Sequence, residues 1–106
     1  MITRCFPAVL IAVACLGAGA QTLVAGPVAT VAEGFQFTEG PVWLPSDELV
    51  FSDIPANRIY YADKRVFREP SGQSNGLTID LEGRLVAAEH GNRRISRTEK
   101  DGTAVT

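Results

Sequence analysis

Past position 20 the chain contains no cysteine, since Cys5 and Cys15 are the only two. The remainder cannot form a disulfide, and its single histidine, His90, excludes a Cys/His zinc site there. Excess charge of one sign is also lacking: 10 Lys+Arg against 12 Asp+Glu leave a net charge of −2. Nucleic-acid binding would call for clustered basic residues and a high pI, and the sequence pI is about 5.3. The longest apolar run covers residues 5–16, short of the roughly 20 residues that span a bilayer. Beyond it, no segment repeats its apolar residues at the 3.6-residue period of a helix. What remains is an ordinary globular composition, 45% hydrophobic and 21% charged, which argues against disorder. At 106 residues the chain has room for one small domain.

The first twenty residues read as an address. Arg4 precedes the apolar run, and Ala18-x-Ala20 follows it as a small-residue cleavage site before Gln21. That order is the pattern of a secretory signal peptide over residues 1–20, with a periplasmic or secreted product and no stable membrane span after cleavage. A lipoprotein acylated at Cys15 is the lesser alternative, because Ala12-Val13-Ala14 is a poor acylation signal. Residues 21–33 are small and turn-rich and read as a lead-in or a first strand. An exported domain of the remaining size, lacking disulfides, has little core to stabilise it.

From Glu39 onward the chain aligns with itself at an offset of 36 without gaps. EGPVWLPSDELVFSDIPANRIYYAD lies over NGLTIDLEGRLVAAEHGNRRISRTE. Gly40/Gly76, Leu49/Leu85, Val50/Val86, Arg58/Arg94 and Ile59/Ile95 are identical pairs, and Asp53/Glu89 keep their charge. Each copy reads as three short strands parted by turns. Short strands at a period near 40 predict an all-β propeller, with a β-sandwich as the competing architecture. A propeller closes with typically four to eight blades, and residues 34–106 supply about two. The chain therefore reads as the first part of a protein roughly three times longer.

In a propeller the first strand of each blade lines the central channel, so Glu39 and Asn75 fall at equivalent channel positions. A carboxylate and an amide oxygen are hard ligands suited to Ca²⁺ or Mg²⁺. Equally, Glu39 could cap a loop and Asn75-Gly76 could serve as a turn. For other residues the structural reading is favoured. Asp53 and Glu89 suit blade-turn hydrogen bonds better than acid/base work. Arg93-Arg94 reads as a solvated or ion-paired turn. Trp43, Phe51, Tyr60 and Tyr61 read as filling between neighbouring blades.

The segments EGFQFTEGPVW (residues 33–43), FSDIPANRIY (51–60), SNGLTID (74–80) and AAEHGNRR (87–94) resemble the gluconolactonase/regucalcin family, its bacterial gluconolactonase branch above all. The resemblance implies a six-bladed β-propeller, of which this chain holds the first two blades. It also implies a divalent cation in the channel, Ca²⁺ first with Mg²⁺ or Zn²⁺ as alternatives, and hydrolysis of a sugar or related lactone to its hydroxy acid. By the same resemblance Glu39 is a metal ligand, Asn75 binds substrate or the metal's water, and His90 contacts substrate at the pocket mouth. The family's base is an aspartate of a later blade, so no catalytic residue is expected among these 106. The other readings are a non-catalytic exported module that binds a ligand or partner, and an inactive truncated remnant.

Overall fold

The computed structural model describes residues 25–106. Residues 1–20, read from the sequence as a signal peptide, lie outside the described residues. Eight strands follow: β1 (Thr38–Trp43), β2 (Leu49–Asp53), β3 (Arg58–Tyr61), β4 (Val66–Arg68), β5 (Ser74–Ile79), β6 (Leu85–Glu89), β7 (Arg94–Thr98) and β8 (Ala104–Val105). They form two antiparallel four-stranded meanders, β1-β2-β3-β4 and β5-β6-β7-β8. The 36-residue repeat is thus a structural repeat. β1, β2 and β3 start 36 residues before β5, β6 and β7. Trp43 pairs with Leu49 as Ile79 pairs with Leu85, and Asp53 pairs with Arg58 as Glu89 pairs with Arg94.

The turns repeat as well. Leu44 N–H donates to Glu48 O, and Asp80 N–H donates to Arg84 O at the matching position. Asp47 (φ 63°) and Gly83 (φ 78°) take the left-handed conformation at equivalent turn positions, as do Asn57 (φ 56°) and Arg93 (φ 53°). Glycine, Asp and Asn tolerate that region, whereas an arginine there is uncommon.

Two expectations need correction. Each unit has four strands, and the three-strand reading of the first unit leaves out β4, whose three residues Val66-Phe67-Arg68 are too few to show a period. The lead-in forms no strand over its described residues, and Val28 and Val31 stay exposed.

The core sits between the two sheets. Val50, Ile59 and Leu85 are buried there, with Val42, Leu44, Tyr61, Phe67, Leu77 and Ile79 packed around them. Polar bonds cross the same seam. The Ser52 and Ser74 hydroxyls hydrogen-bond at 2.8 Å. Arg68 leaves β4 of the first unit and enters the second, donating to Ser96 Oγ, Thr98 Oγ1 and the Ser71 carbonyl. Its Nη2 is also ion-paired with Glu89, whose side chain is fully buried. This buried pair has its hydrogen bonds largely satisfied, which is the condition for a charge to be tolerated in a core.

Candidate functional site at the start of the inner strands

Both inner strands carry an irregularity near their start. The β1–β2 register shifts between Glu39 and Val42, and the β5–β6 register between Ser74 and Leu77. Such bulges break regular pairing and re-aim side chains. Glu39 and Asn75 sit at these two points. Gly40 lies beside Glu39 with φ 57°. A Cβ at Gly40 would fall 2.4 Å from the Asn75 carbonyl oxygen and 2.8 Å from the Leu77 nitrogen. Only glycine therefore lets the two inner strands approach this closely. Gly76, its repeat mate, has open space where a Cβ would stand. The register pairs Glu39 with Ser52, whose hydroxyl bonds Ser74, the neighbour of Asn75. The two residues singled out at offset 36 are thus held on adjacent strands at the same end of the sheets.

His90 belongs to the same end. It follows Glu89, which pairs with Ser74 at the start of β5. Its backbone N–H donates to Gln73 O at 3.3 Å, and Gly91 N–H donates to Gly72 O at 2.9 Å. The His90 and Asn75 residues are exposed, and Glu39 is half-buried. Residues 71–73 are also tied back to the first unit. Asn57 Oδ1 accepts from Gln73 N–H at 2.8 Å and from Ser71 Oγ at 3.3 Å. The loop before Asn75 is therefore gripped from both units. Sequence reasoning gave Asn57 no such part; the one available signal was an asparagine in a turn, where it commonly adopts the left-handed conformation.

Glu39 opens onto a cleft of about 590 Å³ shared with Phe35, Thr38, Pro41, Leu49 and Phe51. Asn75 and His90 do not line it. Among the described residues no three His, Cys, Asp or Glu side chains come together as a metal site.

The other two carboxylates of the repeat serve the fold. Asp53 accepts from the Gln36 and Phe37 N–H groups, both at 3.0 Å. Glu89 is held by Arg68, Arg94 and Asn92, with Arg94 Nε at 2.8 Å. Burial alone would raise the Glu89 pKa; hydrogen bonds from Arg94, Ser96, Asn92 and Arg68 outweigh it and bring it down to about 2. Arg94 accordingly is an ion-pair partner, while Arg93 shapes the turn. The aromatics read as filling between blades divide: Tyr61 packs against the core between the two sheets, whereas Phe51 and Tyr60 do not. Phe51 and Tyr60 pack on Phe35 of the lead-in, at ring-centroid distances of 4.8 and 5.2 Å. Tyr61 packs on Phe67. Trp43 is 62% exposed and lies outside the seam between the units.

No protein-family model matches the chain. A gluconolactonase of Zymomonas mobilis is 33% identical to it, over 72% of this chain and 26% of that protein. An X-ray structure of a protein assigned as a gluconolactonase superposes with a TM-score of 0.64 and 35% identity, over 72% of this chain and 28% of the other. A gluconolactonase of Xanthomonas campestris gives 0.66 and 32%, over 71% and 27%. The chain spans about a quarter of the length of these relatives. By sequence and by fold the chain is similar to part of these gluconolactonases, as two four-stranded units of a propeller-like architecture.

Proposed function

We propose that this chain forms part of an exported enzyme that hydrolyses a sugar or related lactone to its hydroxy acid. The observation that carries the reading is the pair of equivalent bulges, which set Glu39 and Asn75 on adjacent inner strands at one end of the sheets. There Glu39 supplies negative charge, and the Asn75 amide offers both a donor and an acceptor to a lactone's ring oxygen, carbonyl or hydroxyls. His90 stands at the rim of the same end as a further substrate contact. Opening a lactone requires a water to attack the carbonyl and charge to be stabilised on the carbonyl oxygen. A neutral amide such as Asn75 can orient substrate or water without adding charge. The divalent cation belongs to the proposal through Glu39, the ligand this chain would give it; the other donors lie outside the described residues.

The test is acid release from a sugar lactone by the natively isolated protein, corrected for uncatalysed opening. Glu39→Gln is expected to lower kcat/KM at least about 100-fold, the scale of losing one transition-state contact. Undiminished turnover in that variant would remove Glu39 from the site. Tight lactone binding without any turnover would replace the enzyme by a binding module.

A further inference from the structure

Asn57 closes the turn between β2 and β3 in the left-handed conformation, φ 56°. Its repeat mate Arg93 holds the same conformation at φ 53°, so the turn by itself does not call for an amide. What sets Asn57 apart is its reach into the second unit. Its backbone carbonyl accepts from Ser71 N–H at 2.9 Å. Its Oδ1 accepts from Gln73 N–H at 2.8 Å and from the Ser71 hydroxyl at 3.3 Å. The Ser71 hydroxyl in turn accepts from Ser74 N–H at 3.3 Å. A hydroxyl has one proton to give and lone pairs to receive with, and both are used here. Ser71 and Ser74 are fully buried, where a polar group left without its partner is costly.

The bend held in this way is an unusual one. Gly72 and Gln73 follow each other at φ 67° and 50°. Gly72 lies against the Glu89 carboxylate with no room for a side chain. Glycine takes such an angle freely, but a glutamine keeps it only where its surroundings hold it. Both polar contacts of the site hang from this bend. Asn75 lies two residues beyond Gln73, and His90 N–H donates to the Gln73 carbonyl at 3.3 Å. Ser74, between Gln73 and Asn75, bonds Ser52, the register partner of Glu39. One side-chain oxygen of the first unit thus holds the peptide from which Asn75 and His90 take their places, beside the strand that carries Glu39.

We propose that Asn57 is a positioning residue, which holds the 71–73 bend so that Asn75 and His90 meet a lactone at a fixed distance from Glu39. The role rests on the lactonase reading above. Asn57 acts through Gln73 and not on the substrate itself.

Steady-state lactone hydrolysis by the natively expressed protein tests it, with circular dichroism reporting the folded fraction. Asn57→Gly keeps the left-handed turn and removes only the amide. It is expected to raise KM about tenfold with kcat changed much less, because substrate contacts are displaced. Asn57→Asp retains an accepting oxygen and is expected to bring KM back to within about threefold of wild type. Ser71→Ala removes one of the two bonds to Oδ1 and is expected to raise KM by a smaller factor; it decides the matter where Asn57→Gly does not fold. A residue that served the fold alone would lower the folded fraction and leave KM unchanged. An unchanged KM in the folded variants would therefore overturn the proposal, as would a loss that Asn57→Asp shares in full. No turnover by the wild type would be the failure of the lactonase reading itself, and the positioning role would fall with it.

Discussion

Substituting Glu89 by Gln removes the charge at the centre of the clamp between the two units while nearly preserving shape. In the wild type the carboxylate receives Arg68 across the seam and Arg94 and Asn92 within its own unit. Its pKa falls from an ordinary 4.5 to about 2, a preference for the charged form of about 3 kcal/mol at 1.36 kcal/mol per unit. The side chain is fully buried, so solvent screening takes little from that figure. Domains of this kind are stable by roughly 5–15 kcal/mol, and the substitution should therefore remove a large share. The sign follows from linkage. A folded-state pKa below the unfolded one stabilises above about pH 4.5, and that stabilisation disappears as pH falls toward 2. Urea unfolding of wild type and Glu89→Gln across this range reads the effect. The two are expected to differ by about 3 kcal/mol at pH 7, with the gap closing as pH falls below 4.5. A gap of equal size at pH 7 and pH 3 would show that shape, not charge, makes the clamp, and the reasoning would fail. Arg68→Ala leaves the buried Glu89 without its cross-seam partner and is expected to cost about 3–5 kcal/mol.

Two further substitutions probe the geometry behind the site. Gly40→Ala puts a methyl group against the Asn75 and Leu77 backbone at a positive φ, and should destabilise by more than about 1 kcal/mol; Gly76→Ala, with open space around it, should be close to neutral, as paired thermal melts will show. Asp53→Ala strips the Gln36 and Phe37 N–H groups of their acceptor and should cost about 1–3 kcal/mol. Faster amide exchange at those two residues would identify the lost contact, and unchanged exchange would contradict it.

Much of this architecture was legible because apolar residues and turn residues recur together. Leu49, Val50 and Ile59 return as Leu85, Val86 and Ile95, and the left-handed turn positions fall on Asp47/Gly83 and Asn57/Arg93. Glu39 and Asn75 could be singled out because the same offset places them on equivalent inner strands. The outer strand β4 escaped, since its three residues are too few to leave a periodic signal. Arg68 escaped for a related reason. Its place in the core depends on Ser96, Thr98 and Glu89, about 20–30 residues away in sequence, and nothing in its own strand marks it as buried. Trp43 has no described unit against its face, whereas its repeat mate Ile79 is packed in the seam.

The most direct measurement is lactone hydrolysis by the natively isolated protein, followed as acid release beside a matched open-chain ester and a protein-free control. The account predicts turnover of the lactone above the uncatalysed rate, lost in Glu39→Gln with the fold intact. Release indistinguishable from the protein-free control, from a folded protein, would contradict it.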